Sequence, residues 1–177
     1  MSTFLYRLMG AAMLDAGTYE QVEADRRATW QAVLVVLLSS FAAGAGVRLQ
    51  LWAGVEGFIR VSLISLVAWI AWAVLIVQIG TRILPQRETR SDSFEMMRTI
   101  GFAASPGLLQ VFGMIPGVRL PVFVITLAWM FAAMVVAVRH ALDYSNIGRA
   151  LIVCALAAMI VFVFAAGLGV LFSTRAY

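Results

Sequence analysis

Five stretches of this chain approach the ~20 predominantly apolar residues needed to cross ~30 Å of hydrocarbon, and they carry almost no charge. They run from about Trp30 to Val47, Phe58 to Leu84, Met96 to Ile115, Pro121 to Val138, and Ala150 to Phe172. The first holds no charged residue; Arg60 and Arg98 lie near the ends of the second and third, where a long side chain can reach a headgroup. In hydrocarbon every backbone N–H and C=O must be paired within the protein, and no period-two alternation marks a β-barrel, so these stretches are predicted as helices. Composition removes the alternatives. Only 12% of the 177 residues are charged, against about 25% in a soluble domain, and 63% are apolar, which excludes disorder. The expected fold is an all-α membrane protein of one domain. It has an N-terminal segment at 1–28 with a short interfacial helix, and a bundle of five transmembrane helices at 29–177.

Punctuation agrees with these windows. Pro85 stops the second span, and the polar run Gln86–Ser93 forms the longest connection. Asp92 with Glu95 resembles a helix-start box, Pro116-Gly117 marks a tight turn, Pro121 suits a first helical position, and Ser145 or Asn146 suits the cap of the last helix. In the N-terminal segment Phe4, Leu5, Leu8, Met9, Ala12 and Met13 recur at helical spacing, which predicts a short helix lying in the headgroup region. Asp15-Ala16-Gly17 breaks it, and Thr18 with Gln21 reads as a second helix start. Glu20, Glu23 and Asp25 follow as a solvated face.

All thirteen basic residues are Arg, a usage expected of a GC-rich bacterial genome, and they sit at span ends. With the N-terminus inside, Arg7, Arg26, Arg27, Arg82, Arg87, Arg90, Arg98, Arg139 and Arg149 fall on the inner side and Arg48, Arg60, Arg119 and Arg175 on the outer, nine against four. The positive-inside rule then predicts a multi-pass protein of the bacterial cytoplasmic membrane, N-terminus inside and C-terminus outside. No basic stripe suggests nucleic acid.

Chemistry-bearing constellations are scarce. One His (His140) and one Cys (Cys154) exclude a disulfide framework and leave no zinc-ligand set. No Gly-x-Ser-x-Gly elbow, His-Glu-x-x-His pair or Gly-rich loop before a Lys is present. No carboxylate sits within a span interior, where an ion or proton path would place one. The expectation is a protein without catalytic residues, metal or cofactor. Trp69 and Trp72 share one face of the second span at mid-membrane, as candidate contacts for a lipid tail or hydrophobic ligand. Small residues at spacing four, Ser40 with Gly44, Ala42 with Gly46, and Ala165 with Gly169, are candidates for close helix docking. The first span carries two such stripes, so it and residues 1–28 are the expected docking surface for a partner or second copy.

The third span opens Arg98-Thr99-Ile100-Gly101-Phe102-Ala103-Ala104-Ser105-Pro106. The fourth carries Trp129 and ends Ala137-Val138-Arg139-His140-Ala141-Leu142-Asp143-Tyr144-Ser145, followed by Gly148-Arg149-Ala150. In these motifs and their order the chain resembles the Yip family, the Ypt/Rab-interacting membrane proteins, in a bacterial branch; the likeness extends by layout over roughly residues 18 to 172. The resemblance implies five spans, a cytoplasmic N-terminus and no enzymatic activity. It marks Arg98, Gly101, Phe102, Pro106, Trp129, Arg139 and Asp143 as family-motif residues. Eukaryotic members engage small GTPases through a long cytoplasmic arm; about 28 residues precede the first span here, and a small GTPase is not the expected partner.

From physical chemistry, Arg98 and Arg139 should anchor span ends to headgroups or helix-end carbonyls, Pro106 should kink the third span, Gly101 should permit close helix approach, and Arg139 should pair with Asp143 if the helix continues. The expected function is an accessory or organising protein that binds lipids or other membrane proteins, or itself. The alternative is a small channel or transporter for an uncharged or lipidic substrate. A cavity reaching the midplane past Pro106, lined by Ser105, Gln110 or Gln78, would favour it.

Overall fold

A computed structural model describes the backbone of residues 3–48, 54–84 and 93–173, and the side chains of 3–46, 55–84 and 94–164. The described chain is helical: α1 (Thr3–Ala12), α2 (Ala16–Ala24), α3 (Ala28–Arg48), α4 (Gly54–Gln78) continued by a π turn (Ile79–Ile83), α5 (Ser93–Phe102), a 3₁₀ segment (Ser105–Met114), α6 (Arg119–Ala141) and α7 (Ile147–Ser173). Among the described residues four helices are long and apolar enough to cross a membrane: Ala28–Gly46, Val55–Ile83, Arg119–Ala141 and Ile147–Phe164. α3 and α7 run from the end carrying Arg98 toward the end carrying Arg119, and α4 and α6 run the opposite way. Large apolar side chains such as Ile64, Val67, Phe123, Ile125, Phe162 and Phe164 point out of the bundle. In water that outer surface would be unfavourable; in a bilayer it is the lipid-facing side.

The third predicted window, Met96 to Ile115, is not one continuous helix. α5 stops at Phe102, Ala103 and Ala104 close tighter turns onto the carbonyls of Ile100 and Gly101, and the 3₁₀ segment takes over with Pro106 in its first turn. Pro106 has no N–H to donate to Phe102, and its ring excludes the α-helical path of that carbonyl. Ten residues at ~1.5 Å and ten at ~2.0 Å give this broken element a length of roughly 35 Å. It forms the centre of the molecule, since Gly101, Phe102, Ala103, Ala104, Ser105, Pro106 and Gly107 are all buried. Two glycines let it sit there. A methyl on Gly101 would lie 2.8 Å from the Ala32 methyl of α3, and one on Gly107 would collide with Ser39 of α3 and Met130 of α6.

The short N-terminal helix expected from the apolar spacing is α1, and its inner face packs on the bundle. α1 and α2 pack as a hairpin into the bundle, with Ala11, Thr18, Tyr19 and Val22 fully buried. The indole N–H of Trp129 donates to the Ala12 carbonyl over 2.7 Å, and Trp129 stands twelve residues, or ~18 Å, from the end of α6 at Ala141. The outward face of α1 is apolar, formed by Leu5, Tyr6, Met9 and Met13. α2 begins three residues earlier than expected. Asp15 is its cap, accepting from the Thr18 N–H at 2.9 Å and the Thr18 hydroxyl at 2.6 Å. The predicted Asp92 start signal lies outside the described residues.

Candidate functional site

Two regions concentrate the polar side chains. At the Arg98 end the groups lock helices together. Arg98 is almost fully buried and donates to the Glu23 carbonyl in the last turn of α2 over 2.6 Å, with the Glu95 carboxylate 3.9 Å away. Its partner is thus a helix-end carbonyl, a favourable site for a cation, rather than a headgroup. Arg7, the one cation of α1, is likewise buried, paired with Asp25 at 2.8 Å and donating to Gln31 at 3.2 Å. The Arg7 guanidinium holds the Asp25 carboxyl below its ordinary range. Glu23 is shifted the other way, raised first by burial and then by the charges of Asp143 and Glu95. His140 lies 3.8 Å from Glu20 and bridges α6 to α2.

Two tyrosines complete this lock. The Tyr19 hydroxyl reaches the carbonyls of Ala11 (3.0 Å) and Ala133 (3.4 Å), fixing α2 to α1 and α6. The Tyr144 hydroxyl donates into the π turn, at 3.2 Å from the Gly80 carbonyl and 2.9 Å from that of Leu84. A π turn displaces carbonyls from their α-helical partners, and Tyr144 supplies a replacement. Sequence reading gave neither tyrosine a role. Each is an isolated polar tip beside an apolar run, and nothing in spacing tells which distant carbonyl it meets. Arg7 did leave a signal, a lone cation in an apolar stripe.

Arg139 is exposed and forms no ion pair with Asp143 among the described residues. α6 ends at Ala141 and Asp143 turns left-handed at φ 50°, so the i,i+4 geometry that the pair requires is never built. Asn146 caps α7, accepting from the Gly148 N–H at 2.8 Å.

The second region is a groove in the half of the bundle toward Arg119. Two adjoining cavities, each of about 770 Å³, share Ala43, Ser65, Gln110 and Phe123. That size is typical of ligand pockets. α3 and α4 form one wall, with Ser39, Ser40, Trp69 and Trp72; the 3₁₀ segment supplies Gln110; α6 and α7 close the other side. Trp69 and Trp72 meet edge to face at 5.5 Å, and Trp72 stacks on Phe131 at 6.1 Å, a favourable arrangement of aromatic rings. The Trp72 N–H is taken by the Cys154 carbonyl at 3.2 Å, so its ring rather than its polar edge is free to meet a ligand. Ile64, Val124, Leu127 and Phe162, all exposed, form the lateral rim. Arg119 stands at the far mouth, half-buried, at the first residue of α6. Among the described residues it has no ion-pair partner.

The small-residue stripes are used inside the chain. A methyl on Gly44 would collide with Ser62 and the Phe58 carbonyl of α4; one on Gly46 would collide with the Gln110 carbonyl and abut Gly113 of the 3₁₀ segment. Ser40 donates to the Val36 carbonyl within α3, and Ala42 is buried. Both stripes of α3 therefore face internal neighbours, which leaves no glycine of α3 for a second copy. The reason is geometric: the 3₁₀ segment packs into α3 as closely as α4 does, and a sequence reading with one straight third helix provides only one such neighbour. The side-chain positions of Ala165 and Gly169 lie outside the described residues. Ser105 is buried outside the groove, and Gln78 is exposed elsewhere on α4.

No group of three His, Cys, Asp or Glu residues positioned to hold a metal occurs among the described residues. No curated protein and no solved structure matches the chain significantly. The Yip1 domain family model matches residues 15–168, which takes in the motif around Arg98–Pro106, Trp129 and the Arg139–Ala150 turn. That match spans most of the chain, and the protein is a member of the Yip family of multi-pass membrane proteins.

Proposed function

We propose that this chain crosses the bacterial cytoplasmic membrane five times and works there without catalysis, as an accessory protein that organises lipids and neighbouring membrane proteins. Its fifth crossing is the broken α5–3₁₀ element, whose ~35 Å length matches the hydrocarbon thickness. The observation that carries the functional reading is the groove. It offers apolar and aromatic surface, hydroxyls, an amide and one guanidinium, and opens sideways through lipid-facing residues. Its lining contains no carboxylate, imidazole or thiol, the groups that acid–base or nucleophilic chemistry needs. The polar contacts of Arg7, Arg98, Tyr19 and Tyr144 join one helical element to another. The orientation consistent with the Arg distribution puts the Arg98 end in the cytoplasm and the Arg119 mouth outside.

Extraction of the full chain in mild detergent, followed by identification of bound lipids and proteins, tests this reading. Retention of a defined lipid class or a recurrent membrane protein supports it. A chain that elutes with neither refutes it. The groove also favours a second reading, passage of an uncharged or lipidic substrate, because Gln110 lines both of its cavities. Passage predicts that vesicles containing the purified chain move a labelled lipid between leaflets, whereas a holding site predicts binding with no movement.

A further inference from the structure

We propose that the groove is a site for one anionic phosphoglyceride of the leaflet at the Arg119 end, its phosphate held by Arg119 and one acyl chain lying against Trp69 and Trp72. This rests on the lipid-binding half of the function proposed above. The depth of the groove matches one leaflet. From Arg119 to Phe131 α6 advances twelve residues, ~18 Å, close to the ~15 Å thickness of one hydrocarbon leaflet. A lipid with its head at Arg119 therefore ends its chain beside the ring stack of Trp72 and Phe131, whose centroids are 6.1 Å apart.

The groove's charge matches an anionic headgroup. Arg119 is half-buried at the mouth with no carboxylate partner among the described residues, and the groove lining carries no acidic group. A planar guanidinium is matched to a phosphate by two parallel donors, and an anionic headgroup leaves net charge to satisfy it. A polar step lies below the mouth. Gln110 and Ser65 line both cavities, and among the described residues the Gln110 side chain makes one weak bond, to the Met130 sulfur at 3.8 Å. An acyl ester carbonyl lies one step below a lipid phosphate, where an amide and a hydroxyl can donate to it. The rim of Ile64, Val124, Leu127 and Phe162 gives the chain a lateral way in from the bilayer.

The test uses the purified full chain with Trp30→Phe, Trp52→Phe and Trp129→Phe, so that only Trp69 and Trp72 report. Phosphatidylglycerol brominated in mid-chain is titrated into the detergent solution, with brominated phosphatidylcholine of the same chains as the second arm. The expected result is quenching that saturates at a single bound lipid, with phosphatidylglycerol effective at lower mole fraction. Arg119→Gln should weaken phosphatidylglycerol on the order of fivefold and leave phosphatidylcholine unchanged, the scale of one partly screened ion pair. Ser65→Leu, and independently Ala128→Leu, should fill the groove and abolish saturable quenching of either lipid at unchanged thermal stability. Non-saturable quenching, equal for both headgroups and in all variants, overturns the site. Saturable, headgroup-selective quenching by a chain that brings no membrane protein out of the cell supports the site while removing the protein-organising half of the proposed function.

Discussion

Replacing Gly101 by Ala should destabilise the bundle, and replacing Ala32 by Gly should reverse most of the damage. An ideal methyl on Gly101 lies 2.8 Å from the Ala32 methyl and 3.3 Å from its carbonyl oxygen. Non-bonded carbons prefer ~3.5–4.0 Å, so α5 and α3 must separate by most of an ångström at their closest crossing. Overpacking of this kind costs about 1–3 kcal/mol. Ala in place of Gly returns about 1 kcal/mol of helix propensity, which leaves a net loss of about 0–2 kcal/mol. Ala32→Gly alone loses about 1 kcal/mol of propensity and about 0.8 kcal/mol of buried methyl, or about 2 kcal/mol. In the double variant the new methyl occupies the space the old one vacated and the two propensity changes cancel, so the net loss falls to about 0 kcal/mol. The double variant should therefore be more stable than the summed singles by about 2–4 kcal/mol. Denaturant or thermal unfolding of the four proteins in one detergent measures this. Costs that add within about 0.5 kcal/mol would falsify the claim that these two residues touch.

Three further outcomes follow from the lock at the Arg98 end. Tyr144→Phe removes the donor to the Gly80 and Leu84 carbonyls and should cost about 1–3 kcal/mol in the same unfolding assay, because those π-turn acceptors lose their replacement partner. Stability should depend on pH in two opposed ways. Glu23 has a raised folded pKa, so its contribution is complete below its ordinary 4.5 and is lost as pH rises through the folded value. Asp25 has a lowered one, so its contribution is present above its ordinary 3.8 and is lost as pH falls through the folded value. Melting temperature should thus rise on mild acidification and fall at stronger acidity. Glu23→Gln should remove the rise and Asp25→Asn the fall; unchanged profiles would contradict the pairings. His140→Ala should leave any cellular phenotype intact at normal membrane abundance, and loss of the phenotype would reopen an enzymatic role.

The helices were legible because hydrocarbon leaves so few choices. Uncharged runs near twenty residues long admit little but a helix, and Pro85, Pro116-Gly117 and Asn146 mark where helices stop or start. The break in the third window was only half legible. Pro106 announced a kink, but the switch to a 3₁₀ path depends on Gly101 and Gly107 letting α3 and α6 close in from both sides. That is a tertiary condition no local pattern contains. The same condition redirected the glycines of α3, since a segment packed this tightly occupies the stripe that a straight helix would have left open. At the candidate site, Trp69 and Trp72 were visible as a pair, whereas Arg119 read only as a charge at a span end. Its place at the mouth of the groove requires α6 to start beside Gly113 and Gly117, with the 3₁₀ segment ending next to it. Arg139 and Asp143 misled because their spacing is helical while the chain is not.

Both the bundle and the groove depend on the broken α5–3₁₀ element crossing the membrane. The most direct test places single cysteines at Arg82 and Val118, one near each end of that element, in a Cys154→Ala background. Intact cells are then exposed to a membrane-impermeant maleimide. The account predicts labelling of Val118→Cys from outside and of Arg82→Cys only after permeabilisation, because one crossing separates the two positions. Labelling of both from the same side would mean that the central element does not cross, and would remove the fifth span together with the outward-facing mouth at Arg119.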